Sequence, residues 1–442
     1  GQPGAPDPGP PLPGQRRRAQ GRGLLVLVQR DRAKVVLAMV GLPARGKTYI
    51  ARRVARYLNW LGHPTKVFNV GNYRRKILGA SQPADFFAPN NVEGRKLLND
   101  LAMQALDDMI AWLEEGGEVG IFDATNSSKE RRRVVEARCR KAGVPLFFIE
   151  SFCNDPSVVE ANVRDTKLKS LDYVSMDPDT AAQDFVRRIA HYESMYETLD
   201  DPSQSYIKII DVGRQVILNR IHGYLPARLA PLLIDMHVSP RPIWLTRHGQ
   251  SMYNLMGRIG GDSELSPAGE AYAKHLAAFV KQHAPRDQEV AIWTSTLRRT
   301  IQTSTSITRT PRMWRALDEI DAGVCDGMTY DQIRLEMPDV WAARGTDKFR
   351  YRYPRGESYE DVIQRLDPII IHLERQRTPV LVIAHQAVLR AIYAYLMDLP
   401  PSKCPNISMP LHTVIQLTPN AYGCEEKRFV LEPRVEDQGA GG

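Results

Sequence analysis

The sequence predicts two α/β domains in tandem, the first built on a mainly parallel sheet. Three observations lead there. Short apolar, often β-branched runs alternate with stretches of helical length, the pattern of strand–helix units. The alternation halts at Ser239-Pro240-Arg241-Pro242 and then restarts. In each half the apolar run that opens the pattern ends in a sequence suited to phosphate: a glycine-rich turn after Val35–Val40, and Arg247-His248-Gly249 after Ile243–Leu245.

Residues 1–22 hold six prolines, five glycines and four arginines and offer almost nothing to bury, so a loose tail is expected there. Val35–Val40 is a continuous apolar run, as in a strand covered on both faces. A helix over Thr48–Leu61 follows, and strands are expected at Thr65–Val70, Val119–Phe122, Leu146–Glu150 and Tyr206–Ile210. Past the Pro-X-Pro break, Ile243–Leu245, Val290–Trp293 and Val380–Ile383 read as strands. Pro267–Lys281, Leu297–Ile307, Ser358–Gln376 and Ala387–Leu396 read as helices. The division is therefore a tail at 1–22, a first domain at 23–238, a second at 239–430 and a loose end at 431–442.

The 442 residues are 43% hydrophobic and 25% charged, which excludes a mainly disordered chain, a collagen and a disulfide miniprotein. Five scattered cysteines with no C-x-x-C pair argue against a zinc site and for a reducing compartment. No apolar run approaches the roughly 20 residues of a membrane helix, and no secretory segment is recognised, so the cytosol is expected and no membrane partner. The net charge of +8 is dispersed apart from Arg16–Arg18 and Arg131–Arg133, which favours small phosphorylated substrates over nucleic acid.

Gly41-Leu42-Pro43-Ala44-Arg45-Gly46-Lys47-Thr48 fits G-x-x-x-x-G-K-[ST], after a strand and before a helix, the context that gives the motif its meaning. Its glycines let backbone N–H groups wrap phosphates; Lys47 reaches the β- and γ-phosphates and Thr48 supplies a Mg²⁺ ligand. Asp123 closes a second apolar strand, where a carboxylate orients the metal and its water, takes the proton of an acceptor hydroxyl, or simply caps the next turn. Arg74, Arg75, Arg131, Lys167 and Arg188 are each ordinary surface charges taken singly, but a phosphorylated acceptor needs several of them.

In the second half Arg247-His248-Gly249 alone is a weak tripeptide. It is joined by His385-Gln386 after another apolar strand, by Arg298-Arg299 in a turn, and by Glu319 and Asp321 in a glycine-containing loop. Two histidines and two arginines make a pocket for a transferring phosphoryl group, with a neutral histidine as nucleophile and one glutamate to protonate the leaving alkoxide.

These residues together resemble the bifunctional 6-phosphofructo-2-kinase/fructose-2,6-bisphosphatase family, from about Val35 to Cys424. The resemblance rests on GLPARGKTY (41–49), FNVGNYRR (68–75), FDATN (122–126), RHGQSMYNLMGRIGGD (247–262), EIDAGVC (319–325), YRYPRGESYEDVIQRL (351–366) and HQAVLRAIYAYL (385–396). It implies a P-loop kinase domain followed by a histidine-phosphatase domain of the phosphoglycerate-mutase-like kind. The first would pass the γ-phosphoryl group of MgATP to the 2-hydroxyl of fructose 6-phosphate, and the second would hydrolyse fructose 2,6-bisphosphate through a phosphohistidine. By the same resemblance ATP is held by the loop through Tyr49 and by Asn162, Val163, Arg164, Asp165, Thr166 and Lys167, and Cys153 belongs to the kinase site with Lys47 and Asp123. Sugar-phosphate contacts fall on Arg74, Thr125, Arg131, Lys167, Arg188 and Tyr192. In the phosphatase, His248 is the implied nucleophile and Glu319 the proton donor, with Arg247, Arg299 and His385 on the phosphoryl group. Asn254 and Gly260 lie beside it, and Tyr330, Arg344, Lys348, Tyr359, Gln386 and Arg390 grip the rest of the substrate. A homodimer is implied by resemblance alone.

The chain departs from the family pattern at Leu98, where the family has an arginine for fructose 6-phosphate; Arg95, one turn earlier, substitutes only partly. Losing a charge-assisted phosphate contact costs about 1.5–3 kcal/mol, so a phosphatase with an impaired kinase is the alternative expectation. Gln250 replaces the usual Glu after Arg-His-Gly, a change of small expected effect. Arg299 is kept, where some kinase-biased relatives lack it. A non-catalytic scaffold would be expected to lose Lys47 or His248, and both are present; a polynucleotide-processing kinase–phosphatase would be expected to carry a D-x-D motif instead of the histidine site.

Overall fold

A computed structural model of the chain describes residues 34–80, 82–164, 171–174, 176–237, 240–420 and 423–431, all within one compact unit that begins at Lys34. The tail at 1–22 and the end past Leu431 lie outside the described residues.

The first half is a six-stranded sheet of β1 (Val35–Val40), β2 (Thr65–Asn69), β3 (Val119–Asp123), β4 (Leu146–Phe152), β5 (Tyr206–Ile210) and β6 (Gln215–Asn219), in the order β2-β3-β1-β4-β5-β6. The first five run parallel, and β6 returns antiparallel on β5. β1 lies between β3 and β4, so every residue of Val35–Val40 is buried, as its unbroken apolar run requires. The second half repeats the plan with β7 (Ile243–Arg247), β8 (Ala291–Thr294), β9 (Arg312–Met313), β10 (Val380–Ala384), β11 (Thr413–Pro419) and β12 (Cys424–Val430), in the order β12-β11-β7-β10-β8-β9. Here β7 to β10 are parallel and β11 and β12 form an antiparallel edge. Both sheets are thus mixed, with parallel centres. The predicted helices form with shifted ends: Lys47–Trp60, Pro267–His283, Arg298–Ser304, Tyr359–Arg375 and Gln386–Leu396.

The two sheets share one apolar cluster. It runs from Val35 and Leu37 through Val54, Tyr57 and Trp60, across the Tyr224–Asp235 helix, into Leu366, Ile370, Ile392 and Leu245. Polar contacts stitch the same seam. Trp60 Nε1 donates to Ala391 O at 2.9 Å, Tyr57 Oη to Asp367 Oδ1 at 2.5 Å, and Gln364 Nε2 to Leu61 O at 3.1 Å. At its centre the Glu374 carboxylate meets Arg53, Arg56 at 2.9 Å and Tyr395 Oη at 2.6 Å. Burial alone would raise the Glu374 pKa, but Arg53 and Arg56 hold it below the ordinary carboxylate range. The one carboxylate is compensated by two arginines, and these also stack on aromatic rings, Arg53 over Tyr49 at 4.9 Å and Arg56 over Tyr395 at 4.5 Å, which makes the burial of the cluster tolerable.

Candidate active sites

In the first half, β1 runs into the glycine-rich loop and the loop into the Lys47–Trp60 helix. Gly41 takes φ 141°, and a Cβ there would stand 2.4 Å from Ser151 O, so only glycine fits. Gly46 caps the helix in the left-handed region at φ 79°. Arg45 braces the loop, its Nε donating to Cys153 O at 2.6 Å. Asn162 Nδ2 holds the loop from the other side through Ala44 O, at 3.0 Å. Lys47 is buried, and its Nζ donates to Leu42 O at 2.6 Å, a carbonyl standing where a phosphate oxygen can serve. Thr48 is the second residue of the helix, and Asp123, buried at the end of β3, accepts from Asn69 Nδ2 at 2.5 Å.

These groups border a cavity of about 1180 Å³ that also takes in Thr125, Arg131, Arg188 and Tyr192. Its far wall is cationic. Arg74 donates to buried Asp172 at 2.5 Å, Arg75 pairs with the same carboxylate at 3.3 Å, and Arg188 lies 3.9 Å from it. Burial would raise the Asp172 pKa, but the arginines hold it below the usual range. Arg188 stacks over Phe87 at 3.7 Å, and Tyr192 tilts on the same ring. Arg131 Nη1 and two nitrogens of Arg74 are buried with no hydrogen-bond partner. Unsatisfied buried guanidinium groups facing a cavity are suited to an anionic ligand. Leu98 lines this cavity, as do Arg95 and Lys96, and Arg95 Nη1 is turned to Pro89 O at 3.1 Å.

Tyr49 and Cys153 line the same cavity. The Tyr49 hydroxyl donates to His237 O at 2.8 Å, tying the loop to the linker between the halves. Burial pushes the Cys153 thiol up, so it stays protonated, and its backbone carbonyl is what it lends the site. Val163 is buried and Arg164 pairs with Glu160 at 2.7 Å; Asp165, Thr166 and Lys167 lie outside the described residues.

In the second half, β7 and β10 are neighbours, and His248 follows one while His385 follows the other. Parallel pairing in register, Arg247 opposite Ala384, brings the two imidazoles together with ring centroids 5.1 Å apart. His248 Nδ1 is 2.7 Å from Gly249 O, and a carbonyl only accepts, so Nδ1 carries the proton and Nε2 keeps its lone pair. Burial, then Arg299, hold the His248 pKa well below its ordinary value, so the ring is neutral at pH 7. Arg299 is buried and fixed through Gly261 O at 2.7 Å; Arg247 reaches Met409 O at 3.2 Å and leaves its buried Nε without a partner. Glu319 accepts from the backbone N–H of Ile320, Gln386 and Ala387 at 2.9, 3.1 and 3.2 Å, the last two at the start of the Gln386–Leu396 helix. Gly260, at φ 70°, has no room for a Cβ against Asp326. Asn254 completes a capping box with Ser251. Gln250 is turned to Ser266 Oγ at 2.9 Å.

A second cationic group flanks this pocket. Arg344 Nε donates to Tyr353 Oη at 2.8 Å and Nη2 to Tyr330 Oη at 3.3 Å; Arg390 donates to Tyr359 Oη at 3.1 Å and Ile407 O at 2.7 Å. Burial, with Arg344 and Arg390 nearby, lowers Lys348 to about 8. Phe87, Asp172, Asn69 and Ser295 also serve these sites and carry no motif of their own; Asn69 alone had a local signal, lying in the resembling segment 68–75 and capping the helix that follows β2.

A strand–glycine loop–helix phosphate cradle and a phosphoryl pocket of paired histidines on one chain define a two-site phosphoryl-transfer protein. Residues 24–240 match the 6-phosphofructo-2-kinase family, and 243–431 match branch 1 of the histidine phosphatase superfamily. A 6-phosphofructo-2-kinase/fructose-2,6-bisphosphatase of Arabidopsis thaliana is 51% identical over 407 residues, covering 90% of this chain and 54% of that one. Isoform 4 of Rattus norvegicus is 49% identical over 400 residues, covering 90% and 85%. The chain belongs to the 6-phosphofructo-2-kinase/fructose-2,6-bisphosphatase family, and it spans about half the length of the Arabidopsis relative.

Proposed function

We propose that the chain is a bifunctional enzyme that makes fructose 2,6-bisphosphate from fructose 6-phosphate and MgATP and hydrolyses it back to fructose 6-phosphate and phosphate. The observation that carries the reading is the coexistence, on one chain, of an intact P-loop facing a wall of arginines and a neutral, buried histidine beside a second histidine and two arginines. We assign the kinase to residues 23–238 and the phosphatase to 239–430.

In the kinase, the loop amides and Lys47 bind the triphosphate, and Arg74, Arg131 and Arg188 hold the 6-phosphate of the sugar. Thr48 and Asp123 are oxygen donors suited to Mg²⁺, which supplies charge neutralisation to the transferring phosphoryl group. In the phosphatase, His248 Nε2 attacks the 2-phosphoryl phosphorus, and the bond to the C2 oxygen breaks. Glu319 protonates that oxygen, and water then cleaves the phosphohistidine. Arg247, Arg299 and His385 stabilise the phosphoryl group in flight, while Arg344, Lys348 and Arg390 suit the remaining phosphate. Among the described residues no helix is long and apolar enough to cross a membrane; with the small anionic substrates, this supports a cytosolic setting. A homodimer is the assembly that family membership suggests.

Incubation with MgATP and fructose 6-phosphate should give an acid-labile sugar bisphosphate by phosphorus NMR, because a 2-phosphate sits on a hemiketal carbon. Absence of the product, together with phosphate release from added fructose 2,6-bisphosphate, would favour the phosphatase-only reading; silence in both assays would sink the proposal. Leu98 adds a second expectation. Leu98→Arg should lower the fructose 6-phosphate KM about tenfold and change kcat little, by returning a charge-assisted contact. An unchanged KM would mean that Arg95 and the arginine wall already supply that charge.

A further inference from the structure

His385 is held by a chain of hydroxyls that no functional role yet covers. Its ring is wholly buried, and its Nε2 lies 2.8 Å from Ser295 Oγ. Ser295 Oγ lies 2.8 Å from Thr300 Oγ1, which donates to Leu297 O at 2.8 Å. The Leu297 N–H donates to Ser295 Oγ at 3.1 Å. Ser295 and Thr300 are both wholly buried, so no water enters the account.

The proton count fixes the direction of this chain. A carbonyl only accepts, so the single hydroxyl proton of Thr300 goes to Leu297 O, and its oxygen accepts from Ser295. The single proton of Ser295 is then spent. Its oxygen must accept from His385, and the proton on that ring stands on Nε2. Reversing the Ser295 proton alone would leave two hydroxyl oxygens 2.8 Å apart with no proton between them, and reversing both would leave Thr300 Oγ1 2.8 Å from Leu297 O and 3.3 Å from Ser295 O with none. The other ring nitrogen, Nδ1, is buried and has no partner, on a ring packed against His248.

We propose that Ser295, backed by Thr300, is a positioning residue that pins His385 as its Nε2–H form and leaves Nδ1 as the atom that meets the transferring phosphoryl group. Ser295 accepts the Nε2 proton whether the ring is neutral or charged, so the imidazole need not turn when a proton joins Nδ1. Burial, then Arg299, His248, Arg247 and Arg365, keep the ring neutral. A phosphate ester that arrives as its monoanion passes its own proton to Nδ1, and Nδ1–H then donates to the dianion so formed. This inference rests on the phosphatase reading above for its substrate, but not for its tautomer.

The test uses the full chain labelled with ¹⁵N-histidine, the His385 signals being assigned by their loss in His385→Gln. Wild type should show the Nε2–H form at neutral pH, and Ser295→Ala should mix the two tautomers. Bisphosphate hydrolysis by Ser295→Ala should fall about 10–100-fold, as when the orienting partner of a working histidine is removed, with the loss in kcat. Thr300→Val should lose activity in the same direction and Thr300→Ser should keep it; this pair carries the test if Ser295→Ala does not fold. A wild-type Nδ1–H form, or a Ser295→Ala enzyme with unchanged tautomer and kcat, would overturn the inference. An inactive wild type would instead sink the functional reading, and the spectra would still decide the tautomer.

Discussion

His248→Ala is expected to lower fructose 2,6-bisphosphate hydrolysis by about 10³-fold or more, while MgATP-dependent phosphorylation continues and bisphosphate accumulates. The size follows from what the side chain supplies. Its Nδ1 proton is committed to Gly249 O, its Nε2 lone pair is unprotonated at pH 7, and Arg299 lies beside it. Alanine removes the atom that forms the bond to phosphorus and leaves the arginines able only to bind. Labelling with bisphosphate carrying radioactive phosphorus at the 2-position gives a direct check. Wild type should yield an acid-labile, base-stable phosphoprotein, and the variant none. A variant that still takes up the label would point to His385 or another nucleophile.

Lys47→Met should lower the kinase kcat by about 10²–10³-fold, with a smaller change in the ATP KM. Methionine keeps the unbranched apolar stem in a buried position at the start of the Lys47–Trp60 helix, so the loop can retain its shape. What it removes is the ammonium group, which rests on Leu42 O and can swing to the γ-phosphate as charge builds there. Loop amides still bind the triphosphate, which is why binding suffers less than turnover. Steady-state rates at saturating fructose 6-phosphate separate the two effects, and a loss confined to the ATP KM would reduce Lys47 to a binding role.

The parts of this molecule legible in the sequence are those set by neighbours along the chain. Val35–Val40 followed by the glycine loop, and Ile243–Leu245 followed by Arg-His-Gly, announce strand ends because residue type and spacing coincide within a dozen positions. The strands β6, β9, β11 and β12 have no such signal and are not among those the sequence predicts. Gln215–Asn219 is partly exposed and follows β5 through a tight turn, and β11 takes its register from β7, far back in the chain. Site residues that act across the fold were equally silent. Phe87 matters because Arg188 and Tyr192 converge on its ring, Asp172 because three arginines gather on its carboxylate, and Ser295 because β8 ends beside His385. Tyr49 lines the nucleotide-side cavity, as its place after the loop predicts, but the bond from its hydroxyl to His237 O has no local signal. None of these pairings has a spacing rule, since each partner lies on a different element.

The apolar cluster that joins the two sheets has a thermodynamic consequence. A boundary rich in buried leucine, isoleucine and tryptophan, with Glu374 and its arginines sealed inside, gives neither half an exposed seam along which it could melt alone. Heat should therefore unfold the kinase and phosphatase halves in one cooperative step. A ligand at 100 times its Kd adds about 2.7 kcal/mol to the state that binds it. With a single transition, nucleotide held at the P-loop protects the phosphatase against heat, and a phosphate ester held at His248 protects the kinase. The two opposed activities then survive or fail together.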